Sequence, residues 1–92
     1  MFDIIVTNRF RKDVRKYSKS FFPFPFDELE TALMCLKKNI PLPASFRDHE
    51  LSGKLKGIRE FHLLFDMLVL YQVNKAEKVI YLLRLGPHSE VL

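Results

Sequence analysis

The sequence has very little cysteine and no long apolar run. Its single cysteine, Cys35, cannot form an internal disulfide, which excludes the disulfide-stapled secreted domains of this size. The apolar runs at residues 63–65 and 67–71 are separated by Asp66, and no apolar run approaches the roughly 20 residues that cross a bilayer. The short apolar start meets an arginine at residue 9, so no signal peptide is recognisable. These absences predict a cytoplasmic protein with no membrane partner.

Motifs for metal or nucleotide chemistry are also missing. The sequence contains no C-x-x-C pair, no H-E-x-x-H motif, no EF-hand loop and no G-x-x-x-x-G-K-[ST] loop. Ser89 lacks the surrounding glycines of a nucleophile elbow. Three histidines and an aspartate could in principle hold zinc, but no ligand spacing favours it. We therefore expect no metal and no other cofactor.

The chain is short and basic, and its charge is unevenly placed. Its 92 residues are 48% hydrophobic and 28% charged, which is typical of one soluble globular domain spanning residues 1–92. Lysine and arginine (15) exceed aspartate and glutamate (11), giving a formal charge of +4. Residues 1–20 hold six of the cations and two of the anions, and residues 21–92 hold nine of each. The surplus in the first fifth of the chain favours a polyanionic partner.

Residues 8–21 have the pattern of an amphipathic helix with Asn8 as its N-cap. Apolar side chains recur at helical spacing on one face: Phe10, Val14, Tyr17 and Phe21. Cations recur on another face: Arg9, Lys12, Lys16 and Lys19. This basic stripe is equally consistent with a solvated surface and with a face that binds nucleic-acid phosphates.

The next segments predict the rest of an N-terminal strand–helix–helix unit. Residues 2–7 favour a strand, and the Phe/Pro segment at residues 20–26 ends the first helix. We expect its phenylalanines to fold back over the core, with a partner-binding patch as the alternative. Asp27 and Glu30 resemble a capping box for a second helix, which ends near Asn39.

Three strand-like runs follow, at residues 57–65, 67–73 and 78–85. The predicted order is therefore strand, helix, helix, strand, strand, strand. This order predicts an α+β fold, in which an antiparallel sheet carries both helices on one face.

Arg84 is the strongest single functional clue. It interrupts an apolar strand at residues 79–85, where a guanidinium cannot lose its charge. It must therefore pair with an acid, for which Glu60 and Asp66 are the candidates, or face a phosphate. The sequence alone leaves both alternatives open.

All three histidines lie in the same half of the chain as Arg84 and Asp66: His49, His62 and His88. A single histidine is more often structural than catalytic, but five such residues on pairing strands would form a cluster. Histidine transfers protons near neutral pH. Cleavage of RNA without a metal needs a group that takes the 2′-hydroxyl proton, a cation beside the phosphate, and a group that protonates the departing 5′-oxygen.

One ordered series of residues runs through the C-terminal half of the chain: Leu42-Pro43, Asp48-His49, Leu51, Gly53, Lys56-Gly57, Arg59-Glu60, His62, Asp66, Tyr71, Leu83-Arg84-Leu85-Gly86 and His88-Ser89. This series resembles the YafQ branch of the RelE-like bacterial toxins. The N-terminal half agrees with that family only in its pattern of one strand followed by two helices.

The resemblance implies the RelE-like fold and a type II toxin that enters the ribosome and cleaves mRNA as an endoribonuclease. It implies an acid–base set of His49, His62, Asp66 and His88, with Arg84 stabilising the transition-state phosphate. The residues that it implies for RNA binding are Arg9, Lys12, Lys16, Lys19, Lys54, Lys56 and Arg59. The partners that it implies are a cognate antitoxin, ribosomal RNA, mRNA and, for the antitoxin complex, operator DNA.

Two positions depart from the family pattern. Met67 follows the aspartate and Leu92 ends the sequence, where family members often carry aromatic residues. An aromatic ring stacks on a base with about 1–3 kcal/mol, so these departures bear on codon preference.

Two other functions stay open. One is a non-catalytic inhibitor of the same fold, as the ParE-like gyrase poisons are, although such a binder has no need of three proton-transfer groups. The other is a small nucleic-acid-binding regulator that uses only the basic helix.

Overall fold

The computed structural model describes residues 1–64 and 66–92, and it confirms an α+β fold. In chain order its strands and helices are β1 (Asp3–Val6), α1 (Asn8–Ser20), α2 (Phe26–Lys38), β2 (His49–Glu50), β3 (Arg59–His62), β4 (Met67–Asn74), β5 (Val79–Pro87) and α3 (His88–Val91). The strand predicted at residues 57–65 corresponds to β3, and its last residue, Phe65, lies outside the described residues.

The strands form one sheet in the order β1-β5-β4-β3-β2. Pairs among β2 to β5 are antiparallel, as predicted, but β1 pairs with β5 in parallel, so the sheet is mixed. The two helices between β1 and the other strands make a long connection, which a parallel pairing requires. The sequence pattern does not predict β2, because two residues are too few to show an alternation.

Both long helices cover one face of the sheet, as predicted. The core on this helix face contains Phe10, Tyr17, Leu29, Ala32, Leu36, Phe61, Val69, Tyr71, Ile80, Leu82 and Leu85. The opposite face, here called the open face, has a smaller apolar cluster of Leu68, Leu70 and Val91, with Leu51, Ile58 and Leu83 packed against it. Since a large apolar side chain contributes about 1.5–3 kcal/mol when buried, the helix face supplies most of the hydrophobic stability. The open face is left for polar groups.

The N-cap of α1 is Thr7, and not the predicted Asn8. Its hydroxyl accepts a hydrogen bond from the Phe10 N–H at 3.2 Å and donates one to the Leu82 carbonyl at 2.7 Å. Because Leu82 lies on β5, one hydroxyl both starts the helix and ties its first turn to the sheet. The first half of α1 is therefore held beside β5.

The start of α2 also differs from the prediction. The helix begins at Phe26 after Pro25 and has no side-chain cap, so the predicted capping box of Asp27 and Glu30 is wrong. Asp27 lies within the first turn instead, where a carboxylate is favourable near the helix N-terminus. The predicted end is right, because Asn39 adopts the left-handed conformation (φ 56°) that ends a helix.

The Phe/Pro segment between the helices folds over the core only in part. Phe24 is 7% exposed and belongs to the core on the helix face, whereas Phe22 is 92% exposed. A short connection between two helices on the same face cannot turn all of its rings inward. Phe21 is partly buried against the same core, and Phe26 is 56% exposed. The burial prediction is therefore right for Phe24, partly right for Phe21, and wrong for Phe22 and Phe26.

A β-bulge in β5 decides which face Arg84 occupies. Tyr71 pairs with Leu82, and the preceding Leu70 pairs with Arg84, so Leu83 is the extra residue of β5. Residues that pair directly across two strands share a face, and Leu70 lies on the open face. Strict alternation from Leu82 would have placed Arg84 under the helices. The bulge places it on the open face.

Gly86 allows α1 and α3 to approach β5 closely. A Cβ atom at this position would lie 2.9 Å from Tyr17 Cε2 and 3.2 Å from Val91 Cγ1. We expect Gly86→Ala to lower the free energy of unfolding by about 1–3 kcal/mol, since both neighbours would have to move. Urea unfolding measures this loss. The exposed Ser89→Ala serves as the control and should change the same quantity by less than about 0.5 kcal/mol; equal stability of both variants would contradict the close-approach argument.

Candidate active site

The register of the sheet places four polar residues on the open face, of which three are predicted catalytic residues and the fourth is Glu60. His49 pairs with Glu60, Glu60 with Leu70, and Leu70 with Arg84, so these residues form one row across β2, β3, β4 and β5. His62 lies two residues after Glu60 and therefore shares its face. The strands thus bring His49, Glu60, His62 and Arg84 onto one surface of the sheet.

A buried carboxylate joins two of the histidines. Glu60 Oε1 lies 3.2 Å from His49 Nε2 and 3.6 Å from His62 Nε2, and the glutamate side chain is 7% exposed. The two rings are stacked with centroids 6.5 Å apart. The second oxygen, Glu60 Oε2, is buried without a hydrogen-bond partner among the described residues. Such an oxygen is costly to leave unbonded, so this site holds unused acceptor capacity.

The ring of His49 has an oxygen acceptor at each nitrogen. Nδ1 lies 2.7 Å from the Arg47 carbonyl oxygen, and Nε2 faces Glu60. A neutral imidazole donates from only one nitrogen. The His49 ring therefore bridges the loop at Arg47 and the carboxylate of Glu60.

His62 has different neighbours. Its Nδ1 lies 3.2 Å from the Nη2 of Arg47, which can only donate, so Nδ1 accepts and Nε2 carries the proton toward Glu60. Burial, together with the positive charge of Arg47 and His49, lowers the pKa of His62 despite the opposing effect of Glu60. His62 is thus held neutral at neutral pH.

The lowered pKa of His62 predicts a stability that depends on pH. The unfolded chain binds a proton at His62 near pH 6.5, whereas the folded protein binds it only at lower pH. Stability therefore falls as the pH drops from about 6.5 through the lowered pKa. We expect wild-type protein to lose more unfolding free energy between pH 7.5 and pH 5.5 than His62→Gln loses, as measured by urea unfolding. An unchanged pH difference in the variant would contradict this assignment.

Arg84 is paired with Asp13 on α1, and with neither of the acids that the sequence suggested. Arg84 Nε donates to Asp13 Oδ2 at 2.8 Å, and its Nη2 lies 3.5 Å from Oδ1. The expectation of Glu60 or Asp66 as partner is therefore wrong. The physical reason is the position of α1, whose first half lies beside β5 past the end of β1. The arginine side chain is still 23% exposed, so it can meet a ligand.

Asp66 and His88 meet at the end of the sheet. Met67 pairs with Pro87, and the His88 N–H donates to Asp66 Oδ1 at 3.4 Å. Both residues are exposed. The five predicted catalytic residues thus form three groups: His49 with His62 through Glu60, Asp66 with His88, and Arg84. Among residues 1–64 and 66–92, these groups make no direct contact with one another.

The predicted RNA-binding residues divide into two sets. Three lysines of α1 are exposed, as are Lys54 and Lys56 in the loop between β2 and β3, and Arg9 is exposed beside Asp13 at 3.6 Å. The α1 lysines are Lys12, Lys16 and Lys19. Arg59 differs, because its Nε donates to the Tyr71 hydroxyl at 3.1 Å and lies 3.4 Å from Asp48. It belongs to an internal network next to the helix-face core.

Sequence reasoning assigned no role to Asp13 and Arg47, and it considered Glu60 only as a possible partner of Arg84. Asp13 has a signal in the sequence, because Phe10, Asp13 and Tyr17 follow the i, i+3, i+7 spacing of the buried helix face. An acid on such a face needs a buried cation. Arg47 has no comparable signal in the sequence. It lies in a loop, and its backbone adopts the left-handed conformation (φ 49°), which the sequence pattern does not predict.

The described part of the chain contains no group of three or more His, Cys, Asp or Glu residues that could hold a metal ion. Within the same residues, no helix has the length and apolar character needed to span a membrane.

Known proteins match this chain over nearly its whole length. The family model described as the bacterial toxin of type II toxin-antitoxin systems, YafQ, matches residues 2–92. The mRNA interferase toxin YafQ of Escherichia coli strain K12 is 31% identical over 88 residues, which cover 95% of this chain and 91% of that protein.

Solved structures share the fold. A crystal structure of a metal-bound toxin from Helicobacter pylori has a TM-score of 0.90 and 37% identity, and the match covers 100% of both chains. YafQ in the crystal structure of the E. coli DinJ-YafQ complex has a TM-score of 0.84 and 29% identity, covering 100% of this chain and 99% of that chain. The chain therefore belongs to the YafQ family of bacterial toxins from type II toxin–antitoxin systems.

Proposed function

We propose that this protein is a ribosome-dependent endoribonuclease that cleaves mRNA by attack of a 2′-hydroxyl on the adjacent phosphate. The observation that carries the proposal is the convergence of His49, His62 and Arg84 with a buried glutamate on the open face. The E. coli relative, an mRNA interferase, supports the same activity. That relative also favours the ribonuclease over a gyrase poison or a basic regulator.

The first proton transfer is assigned to His62. Because its pKa is lowered, the ring is neutral at neutral pH and can accept the proton of the 2′-hydroxyl. The 2′-hydroxyl takes the place of Arg47 at Nδ1, since Arg47 is an exposed side chain. Glu60 faces the other nitrogen and stabilises the imidazolium that forms, as a carboxylate does behind a catalytic histidine. His49 shares the same carboxylate and fixes its position.

The remaining groups complete the displacement. As the bond from the 2′-oxygen to phosphorus forms, negative charge grows on the phosphate, and the Arg84 guanidinium neutralises it. The bond to the 5′-oxygen then breaks, and a proton must reach that oxygen. We assign this proton to His88, which is exposed and whose backbone N–H contacts Asp66, whereas both ring nitrogens of His49 already contact the protein. The products are a 2′,3′-cyclic phosphate and a 5′-hydroxyl end.

A metal ion has no step in this proposal. The cations of Arg84 and protonated histidine supply the positive charge that a metal would otherwise provide at the phosphate.

The partners follow from the charged surfaces and from the relatives. The exposed lysines of α1, with Lys54 and Lys56, form a basic surface that suits ribosomal RNA and supports docking on the ribosome. The solved E. coli DinJ-YafQ toxin-antitoxin complex supports a cognate antitoxin as partner. On this proposal the protein acts in the cytoplasm, where ribosomes are, and its antitoxin complex binds operator DNA.

Mapping the 5′ ends of transcripts after induced expression tests the proposal. We expect new 5′-hydroxyl ends at a fixed codon position within translated regions, and none in untranslated transcripts. The catalytic-site variant Arg84→Ala should give no such ends. Growth arrest with intact mRNA and a DNA-damage response would instead identify a gyrase poison, and binding without arrest would identify a basic regulator.

A further inference from the structure

A buried carboxylate on α1 has no part in the reaction described above. Asp13 is 5% exposed, although it lies in the most basic segment of the chain. Its Oδ2 accepts hydrogen bonds from Arg84 Nε at 2.8 Å and from the Leu85 N–H at 3.0 Å, and its Oδ1 lies 3.6 Å from Arg9 Nε. Asp13 thus joins the basic helix to the strand that carries Arg84.

The contacts of Asp13 restrain Arg84 at one side of its guanidinium only. An arginine has five N–H donors, and two of them face Asp13 through Nε and Nη2. The other donors stay directed away from the carboxylate. A long flexible side chain that is fixed in this way loses its mobility before the ligand arrives, which is what a preorganised charge requires.

The β-bulge makes this restraint necessary. The bulge places Leu83 and Arg84 next to each other on the open face, at the point where β5 has no neighbouring β1 strand. The Leu85 N–H at that edge would lack a strand partner, and Asp13 accepts its hydrogen bond. One carboxylate therefore holds both the backbone of the bulge and the side chain that the bulge presents.

We propose that Asp13 is a positioning residue for the ribonuclease reaction, which fixes the Arg84 guanidinium where charge develops on the phosphate. This inference rests on the proposed function. Because the Asp13 carboxylate is negative, it does not attract the RNA itself, and its removal should not weaken substrate binding. Its loss should lower kcat and leave KM unchanged or lower.

A double-mutant cycle tests the proposal with full-length protein and ribosome-bound mRNA. The four proteins are wild type, Asp13→Asn, Arg84→Ala and the double variant. Asparagine keeps a carbonyl oxygen for the Leu85 N–H but loses the charge. We expect Asp13→Asn to lower kcat by about 10-fold to 100-fold without raising KM. The same substitution should have no further effect in the Arg84→Ala background, because Asp13 acts through Arg84.

Controls separate positioning from a general effect on folding. Asp3→Asn removes an exposed acid of β1 and should leave kcat unchanged. If Asp13→Asn does not fold, Asp13→Glu replaces it, since it keeps the charge but moves the carboxylate by one methylene; it should lower kcat at unchanged KM. An equal loss of kcat from Asp13→Asn in both backgrounds, or no loss in either, would overturn the positioning role. Wild-type protein that cleaves no ribosome-bound mRNA would instead overturn the proposed function.

Discussion

Replacing Arg84 with alanine is expected to lower the rate of mRNA cleavage by about 10²–10³-fold, the usual cost of removing one group that stabilises transition-state charge. Arg84 lies on the open face in the same row as His49 and Glu60. Its side chain is 23% exposed and already oriented by Asp13. Growing negative charge on the phosphate would therefore meet a fixed cation. Single-turnover cleavage of ribosome-bound mRNA measures the loss.

The lysine variant separates charge from geometry. Arg84→Lys keeps one positive charge beside Asp13 but lacks the planar fork that can hold a carboxylate and a phosphate together. We expect its activity to lie between those of wild type and Arg84→Ala. Lys75→Ala, which removes an exposed cation in the turn between β4 and β5, should leave the rate unchanged.

Protein stability must be measured alongside activity. Removing one partner of a buried ion pair leaves an uncompensated charge, which typically costs about 3–5 kcal/mol. In Arg84→Ala the Asp13 carboxylate keeps only the Leu85 N–H and the exposed Arg9. Urea unfolding shows whether the variant is folded under assay conditions. A folded Arg84→Ala protein with full activity would contradict the role of the arginine.

The sequence predicts well the elements whose hydrophobic pattern continues over many residues. The apolar spacing of α1 and the strand-like runs at residues 67–73 and 78–85 each extend over at least seven residues, and the structure confirms all three elements. The pattern does not predict details that depend on a single residue, such as the N-cap of α1. Thr7 caps α1 because its hydroxyl reaches the Leu82 carbonyl on β5, a contact between residues 75 apart in sequence.

The candidate site shows the same limit more clearly. Its residue types are readable, since histidines and an arginine in apolar strands point to proton transfer beside a phosphate. The face of Arg84 is not readable, because it depends on a β-bulge that shifts the alternation by one residue. Its partner is not readable either, since Asp13 lies 71 residues away in sequence. Long-range packing, and not local pattern, selects Asp13 over Glu60 and Asp66.

Replacing His62 or His88 with glutamine is expected to lower cleavage by about 10²–10⁴-fold, the range for loss of a general base or acid. The two variants should differ in their pH dependence. His62 must be neutral to accept a proton, and its pKa is lowered, so wild-type activity should fall only below pH 6.5. His62→Gln should lose this fall in rate at acidic pH, which is the acidic limb of the pH–rate profile. His88→Gln should keep the acidic limb, because His62 is intact, and should lack any basic limb that comes from the proton donor.

Single-turnover rates from pH 5 to pH 9 test this division of roles. His49→Gln provides the comparison, since His49 fixes Glu60 from the other side but transfers no proton in the proposed reaction. It should lower the rate at every pH and retain both limbs. The double variant His62→Gln/His88→Gln should be little slower than either single variant, because an acid and a base that act in one step do not contribute additively. Exchange of the two limbs between the variants would reverse the assignment of base and acid. Retention of both limbs in both single variants would show that neither histidine carries the proton.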